Sequence, residues 1–183
     1  MSKKLSLGLV FVLVISLLPG CGKAESDKIK VGLDYELSGQ VATYGQGLVE
    51  GIELAVKEIN AAGGVLGKQI KLVKSDNKSE NAETANVATK LITRDKVVAI
   101  LGPATSGNAK AAIPVANKNK VPLISASATD DDVTVDSNGN VREFAFKTCF
   151  NDSFQGSILA NFASDDLKSK KAELLLDNTS DYS

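Results

Sequence analysis

Two short stretches carry the residues best suited to gripping a small polar molecule. Leu101-Gly102-Pro103-Ala104-Thr105-Ser106 and Leu123-Ile124-Ser125-Ala126-Ser127-Ala128-Thr129 each begin as an apolar strand and then break into small hydroxyl residues. In an open parallel α/β sheet, ligands sit where strands end and the chain turns toward a helix. A pair of such ends, with hydroxyls and free backbone N–H groups, suits a small polar ligand. The chain has no histidine, so a Ser-His-Asp arrangement is impossible and much catalytic and metal chemistry starts at a disadvantage.

Competing motifs fail on inspection. Gly63-Gly64-Val65-Leu66-Gly67-Lys68-Gln69 suggests a phosphate loop, yet Gly63 and Gly67 stand too close together, and Gln69 replaces the hydroxyl residue that would meet magnesium. Asp130-Asp131-Asp132 lacks the alternating spacing and later Glu of a calcium loop, and reads as a solvated loop. The sequons Asn77-Lys78-Ser79 and Asn151-Asp152-Ser153 are chance matches. No cofactor, no metal and no enzymatic activity are expected.

The elements that must position the two stretches follow from periodicity. Ile29 to Leu33 starts a strand, ended by polar Glu36 to Gln40. Thr43-Tyr44-Gly45-Gln46 has the form of a capping box, and Leu48, Ile52, Ala55, Val56 and Ile59 then recur at helical spacing. Gly63 and Gly64 stop that helix. Gln69 to Val73 is a second strand, and Ser79 opens a helix with a stripe of Ala82, Ala85, Ala88, Leu91 and Ile92. Val97 to Leu101 reads as a strand covered on both faces. Ser106 caps a helix through Ala109, Ala112, Ile113 and Ala116, bent at Pro114, and Val121 to Ser125 is the fourth strand. This alternation predicts an α/β fold with a doubly wound parallel sheet.

Further on, Asp130 to Gly139 reads as a surface loop and Phe144 to Phe146 as a strand. A crossing at Cys149-Phe150-Asn151-Asp152 leads to a helix from Ser153 through Ile158, Leu159 and Phe162, then a strand at Ala172 to Leu176. A second α/β unit is therefore begun.

The first residues belong to export rather than to the fold. Lys3 and Lys4 precede an apolar run, Leu5 to Leu18, and then Leu18-Pro19-Gly20-Cys21. That run of about 14 residues is shorter than the ~20 of a membrane-spanning helix. Leu-Pro-Gly-Cys resembles a bacterial lipobox, which implies a lipid on Cys21; plain secretion and a retained anchor are the alternatives. A lipidated Cys21 leaves Cys149 without a disulfide partner, as a small buried hydrophobe. A net charge of −1 and the absence of Trp argue against nucleic acid as a partner.

Taken in order, several of these pieces resemble one family. They are Leu37-Ser38-Gly39 with Tyr44-Gly45, Glu58-Ile59-Asn60, Gly63-Gly64 with Gly67, Gly102-Pro103 with Ser106, Ser125 to Thr129, Phe154-Gln155-Gly156, and Asp177 to Tyr182. Together they resemble the substrate-binding lipoproteins of ABC importers for branched-chain amino acids, with a type I periplasmic binding protein fold. The resemblance implies two α/β lobes joined by hinge strands that close over a ligand. It divides the chain into a signal peptide at 1–20, a polar tether at 21–28, a nearly complete N-terminal lobe at 29–148, and the hinge crossing with the start of the second lobe at 149–183.

The same resemblance implies site residues. Ser106 and the first N–H groups of its helix hold a carboxylate, and Thr129 holds the α-amino and α-carboxylate groups. Ser127 and Ala128 contribute through the main chain, Tyr44 walls the side-chain pocket, and Tyr182 meets the ligand from the second lobe. The implied partners are a small amino acid (leucine, isoleucine or valine), ABC permease subunits, and the membrane through the Cys21 anchor. The protein would be monomeric and extracytoplasmic. A sensor of amino acids, amides or urea with the same fold is the alternative function.

Overall fold

A computed structural model describes residues 28–178. Cys21, the leader before it and Tyr182 lie outside the described residues. Apolar, β-branched runs form five strands: β1 (Ile29–Tyr35), β2 (Ile70–Asp76), β3 (Ala99–Leu101), β4 (Leu123–Ser125) and β5 (Ala145–Lys147). They pair in parallel in the order β2-β1-β3-β4-β5. The intervening helices are α1 (Ala42–Ala61), α2 (Asn81–Thr93) and α3 (Ser106–Asn119). In this strand order the winding reverses between β1 and β3, opening a crevice at their carboxyl ends.

Strand alternation sends neighbouring residues to opposite faces. Leu33, Leu72 and Leu101 pack with Tyr35, Val49 and Ala104 beneath α1. Val73, Ile100 and Leu123 join the larger core with α2 and α3, through Leu91, Ala109, Ala112 and Ile113. Leu91, Ile100, Ile113 and Leu123 are fully buried, and each such side chain contributes roughly 1.5–3 kcal/mol. The α1 helix stops where Gly64 N–H donates to the Ile59 carbonyl (2.9 Å). The Asn60 side chain then bonds both polar backbone atoms of Ile70, accepting from its N–H (2.7 Å) and donating to its carbonyl (2.9 Å).

Several sequence expectations are corrected. The capping box at Thr43 does not form: Val41 is the N-cap of α1 and makes no side-chain cap bond. Gln46 instead donates to the Leu37 carbonyl (3.0 Å). On α1, Ala55 and Ile59 are exposed, while Val49 is buried. Ser79 does not open α2, because its hydroxyl accepts from Val41 N–H (3.3 Å) and donates to the Ser38 carbonyl (2.8 Å). The buried stripe of α2 is Thr84, Val87, Ala88, Leu91 and Ile92, with Ala82 exposed.

The Asp130 to Gly139 loop contains a 3-10 turn, Asp131–Val133, anchored by fully buried Val133. Beyond β5 come α4 (Asp152–Asn161) and a π-helical turn, Phe162–Asp166. Ala172 to Leu176 is not a strand. A β-ladder needs a neighbour to receive its hydrogen bonds, and no described strand pairs with this segment. Cys149 is half-buried rather than buried.

Candidate functional site

A cavity of about 600 Å³ opens above the carboxyl ends of β1, β3 and β4, within the size range of small-molecule sites. Three helices begin at its wall. The approach to α1 contributes Gln40, Val41 and Tyr44; the start of α2 contributes Ser79 to Ala82; the start of α3 contributes Ala104 to Asn108. Ser127 and Thr129 close one side, and Asp177 reaches the rim. Both hydroxyl-bearing stretches therefore meet at one place.

Their hydroxyls divide into two sets. Ser125 Oγ donates to the Pro103 carbonyl and accepts from Ala128 N–H (3.1 Å). Ser127 Oγ donates to the Ala104 carbonyl (2.7 Å). These bonds zip one stretch to the other. The second set faces the cavity. Ser106 Oγ accepts from Asp130 N–H (3.2 Å), which leaves its own proton to give. Thr129 is 8% exposed, and its buried Oγ1 has no hydrogen-bond partner. An orphaned buried hydroxyl beside a cavity marks a position that a bound polar group would satisfy.

Ser106 is the first residue of α3 and not its cap, which is Thr105. The first intrahelical bond runs from Ala109 N–H to the Thr105 carbonyl. The N–H groups of Ser106, Gly107 and Asn108 therefore have no acceptor within the helix. They lie along the cavity wall and favour negative charge.

The frame beneath this turn is a carboxylate that sequence reasoning missed. Glu36 follows β1, is fully buried, and accepts from Ala104 N–H (3.0 Å), Thr105 N–H (3.1 Å), Thr105 Oγ1 (2.9 Å) and Asn108 Nδ2 (2.8 Å). It caps α3 from across the fold. Gly45 of α1 rests on its backbone: a Cβ there would come within 2.1 Å of the Glu36 carbonyl oxygen.

Asp34, two residues earlier, is buried with a different set of neighbours. Its Oδ1 accepts from Asn77 Nδ2 (3.0 Å), while Oδ2 has no partner. Burial pushes its pKa up to about 8, the Asn77 bond pulls against this, and the charges of Glu36 and Glu83 add to the rise. It is a largely neutral acid at pH 7.

Two further carboxylates hold loops at the cavity. Asp76 accepts from Leu37 and Ser38 N–H (3.0 and 3.1 Å), from Ser38 Oγ (2.6 Å) and from Lys78 N–H (2.8 Å). Burial opposes its charge, but these bonds outweigh it and hold the pKa below the usual range. The Leu37-Ser38-Gly39 turn is thereby tied to β2. Asp130 is not a solvated loop residue: it pairs with Lys110 (2.7 Å) and caps the 3-10 turn. Burial again opposes its charge and is outweighed by Lys110, Asp132 N–H and Lys147, so its pKa is lowered. Lys147 Nζ also donates to the carbonyls of Thr129 and Asp130 (both 2.9 Å).

Of the expected site residues, Tyr44, Ser106, Ser127 and Thr129 line the cavity, with Tyr44 64% exposed at its rim. Ala128 does not line it, and its N–H is already given to Ser125. Tyr182 lies outside the described residues. Among the described residues, no group of three His, Cys, Asp or Glu side chains is placed to hold a metal ion.

Residues 28–182 match the family described as periplasmic binding protein. The chain belongs to that family. Among family structures it is similar to LivJ, the branched-chain amino acid transporter substrate binding protein of Streptococcus pneumoniae, solved with isoleucine. The two are 52% identical with a TM-score of 0.78, over 85% of this chain and 43% of that one. It is also similar to a solute binding protein of an ABC transporter from Rhodopseudomonas palustris, solved with 3,4-dihydroxy benzoic acid (30% identity, TM-score 0.66, 76% of this chain and 37% of that one). Leu/Ile/Val-binding protein homolog 7 of Brucella suis is 39% identical over 126 residues, 69% of this chain and 31% of the relative. The chain spans less than half the length of these relatives. The α/β fold with a parallel sheet is the one the resemblance implied, and these structures share it.

Proposed function

We propose that the protein is the extracytoplasmic solute-binding component of an ABC importer, which takes up leucine, isoleucine or valine between two lobes and delivers it to the permease. The observation that carries this reading is the orphaned Thr129 hydroxyl beside the unspent N–H groups of Ser106 to Asn108. That set suits an α-carboxylate, and Tyr44 offers an aromatic surface to an aliphatic side chain. Likeness to a transporter protein solved with isoleucine favours transport over signalling. The relatives are named as binding proteins, which supports binding without catalysis.

Calorimetry of the full protein with the three amino acids tests this reading, and no heat with any of them would refute it. Ser106→Ala and Thr129→Ala are each expected to weaken leucine binding roughly 10- to 100-fold, since a hydrogen bond to a charged group contributes about 1.5–3 kcal/mol. The circular dichroism spectrum should not change. Unaltered affinity in both variants would remove these residues from the site.

A monomer held at the membrane by lipid on Cys21 completes the proposal. Cys21→Ser is expected to shift the protein from the membrane fraction to the soluble fraction. Full retention on the membrane would rule out the lipid anchor. Among the described residues, no helix is long and apolar enough to cross a membrane.

A further inference from the structure

We propose that the end of the lobe opposite the cavity is a membrane-contact surface, which rests on anionic phospholipid beside the point where the tether enters the fold. All five strands are parallel, so their amino ends lie together with the carboxyl ends of α1, α2 and α3, away from the cavity. The seven residues of β1 alone put roughly 20 Å between the two ends. The chain enters at the far end, where Ile29 N–H donates to the Gln69 carbonyl (2.9 Å). Eight residue steps separate Cys21 from Ile29, which limits the span to about 30 Å. The inference rests on the Cys21 anchor proposed above, which would hold this end near lipid at high effective concentration.

Three connections meet here, and each places a side chain where the backbone favours glycine or asparagine. Between α1 and β2, Leu66 and Gly67 form a two-residue turn closed by reciprocal bonds between Val65 and Lys68 (2.8 and 2.9 Å). Both turn residues have positive φ, +51° and +76°, and such turns favour Asn-Gly. Between α2 and β3, Lys96 has a φ of +59°, and Lys120 ends α3 at +55°, where glycine is the usual occupant. Leu66 is 94% exposed, and both lysines are exposed. Strained backbone that presents exposed side chains points to a role outside the fold.

The side chains at this end share a chemistry. Lys28, Arg94 and Lys118 join Lys96 and Lys120, all exposed. Leu66, Val65 and Val98 (57% exposed) supply apolar surface. Glu58 and Glu143 oppose these five cations; Asp95 is paired with Lys90 (3.3 Å), and Lys68 is engaged within the protein. The whole chain has a net charge of −1, so the cationic excess is local. Cations at helix ends complement the helix dipoles, but this accounts for neither Lys28 nor Leu66 nor Val98. Basic and apolar side chains together, next to a lipid-bearing tether, fit an anionic bilayer surface. Resting on this end, the lobe turns its cavity toward the medium, where solute is captured.

The experiment uses the full protein carrying Cys21→Ser, so that no lipid contributes. It reads co-sedimentation with vesicles of phosphatidylcholine, with and without phosphatidylglycerol. Binding is expected only to the anionic vesicles, and to fall as salt is added. Lys96→Gly with Lys120→Gly should weaken it about tenfold or more, at about three- to fivefold for each cation. Leu66→Asn should weaken it about tenfold. These replacements suit positive φ, so the fold is kept while binding is lost, the opposite of what a structural role gives. Lys78→Gln, at the cavity end, should change binding by less than about twofold.

Equal binding to both kinds of vesicle, or binding to neither, overturns the proposal. Unchanged binding in either the double lysine variant or Leu66→Asn also overturns it, as does a loss in Lys78→Gln equal to theirs. All of these outcomes leave the lipid anchor standing, because fractionation of the lipidated protein decides that separately. If the double variant does not fold, Leu66→Asn decides by the same reading.

Discussion

Gly102→Ala is expected to destabilise the protein by about 2–5 kcal/mol, a large share of the stability of a marginal domain. Gly102 has a φ of +106°, where an L side chain is strained, at a cost of roughly 1–2 kcal/mol. A Cβ at this position would also stand 2.1 Å from the Asp34 carbonyl oxygen and 3.1 Å from Tyr35 Cε2. The first obstacle is backbone in a central strand, so no rotamer change relieves it, and overpacking of this kind adds about 1–3 kcal/mol. Gly63→Ala separates the two contributions. Gly63 has a similar φ of +107° but open space around its Cβ position. Urea unfolding should therefore show Gly102→Ala as clearly the more damaging change; equal losses would disprove the close-approach argument.

The second large effect depends on pH. In the folded protein Asp34 keeps its proton up to about pH 8, whereas in the unfolded chain it ionises near 3.8. Between these values the native state binds more protons, so stability falls as pH rises, by up to about 1.4 kcal/mol per unit. Above pH 8 the contribution is constant. Asp34→Asn substitutes a permanently neutral group that still accepts from Asn77, and it is expected to flatten this slope and to stabilise the protein most at pH 8. The chain has no histidine, so few other side chains titrate in the window. Asp76 and Asp130, whose pKa values are lowered, act elsewhere: their stabilisation is lost only as pH falls below the ordinary carboxylate range. Urea midpoints from pH 5 to 8 give the measurement, and parallel slopes for wild type and Asp34→Asn would refute the assignment.

Periodicity made the strands and the three helices of the sheet legible, because burial on two faces imposes it. The α3 stripe of Ala109, Ala112, Ile113 and Ala116 is the clearest case. Helix starts were less legible. Ser79 and Ser106 look like caps locally, but each hydroxyl is claimed by a residue distant in sequence, Ser38 and Asp130 respectively. The carboxylate that takes the N–H groups leading into α3, Glu36, sits 68 residues before Ala104. Glu36 showed itself in the sequence only as the first polar residue after an apolar strand. The nearby Asp34 was the available signal: a charged residue inside an apolar run that leads to the cleft. Within the two hydroxyl stretches, composition could not separate Ser125 and Ser127, whose hydroxyls bond carbonyls, from Thr129, whose hydroxyl has no partner.

That division of the hydroxyls bears on how such a site diversifies. Ser125 and Ser127 join the turns after β3 and β4, so the distance between these walls is set by residues that spend their polar groups on the protein. Tyr44, Glu80, Asn81, Ala82 and Gly107 line the cavity without a side-chain hydrogen bond of that kind. Frame and lining are thus separately heritable: substitutions in the lining retune the ligand while the zipped turns keep their spacing. A relative that shares this fold and holds an aromatic acid is what such a separation would produce.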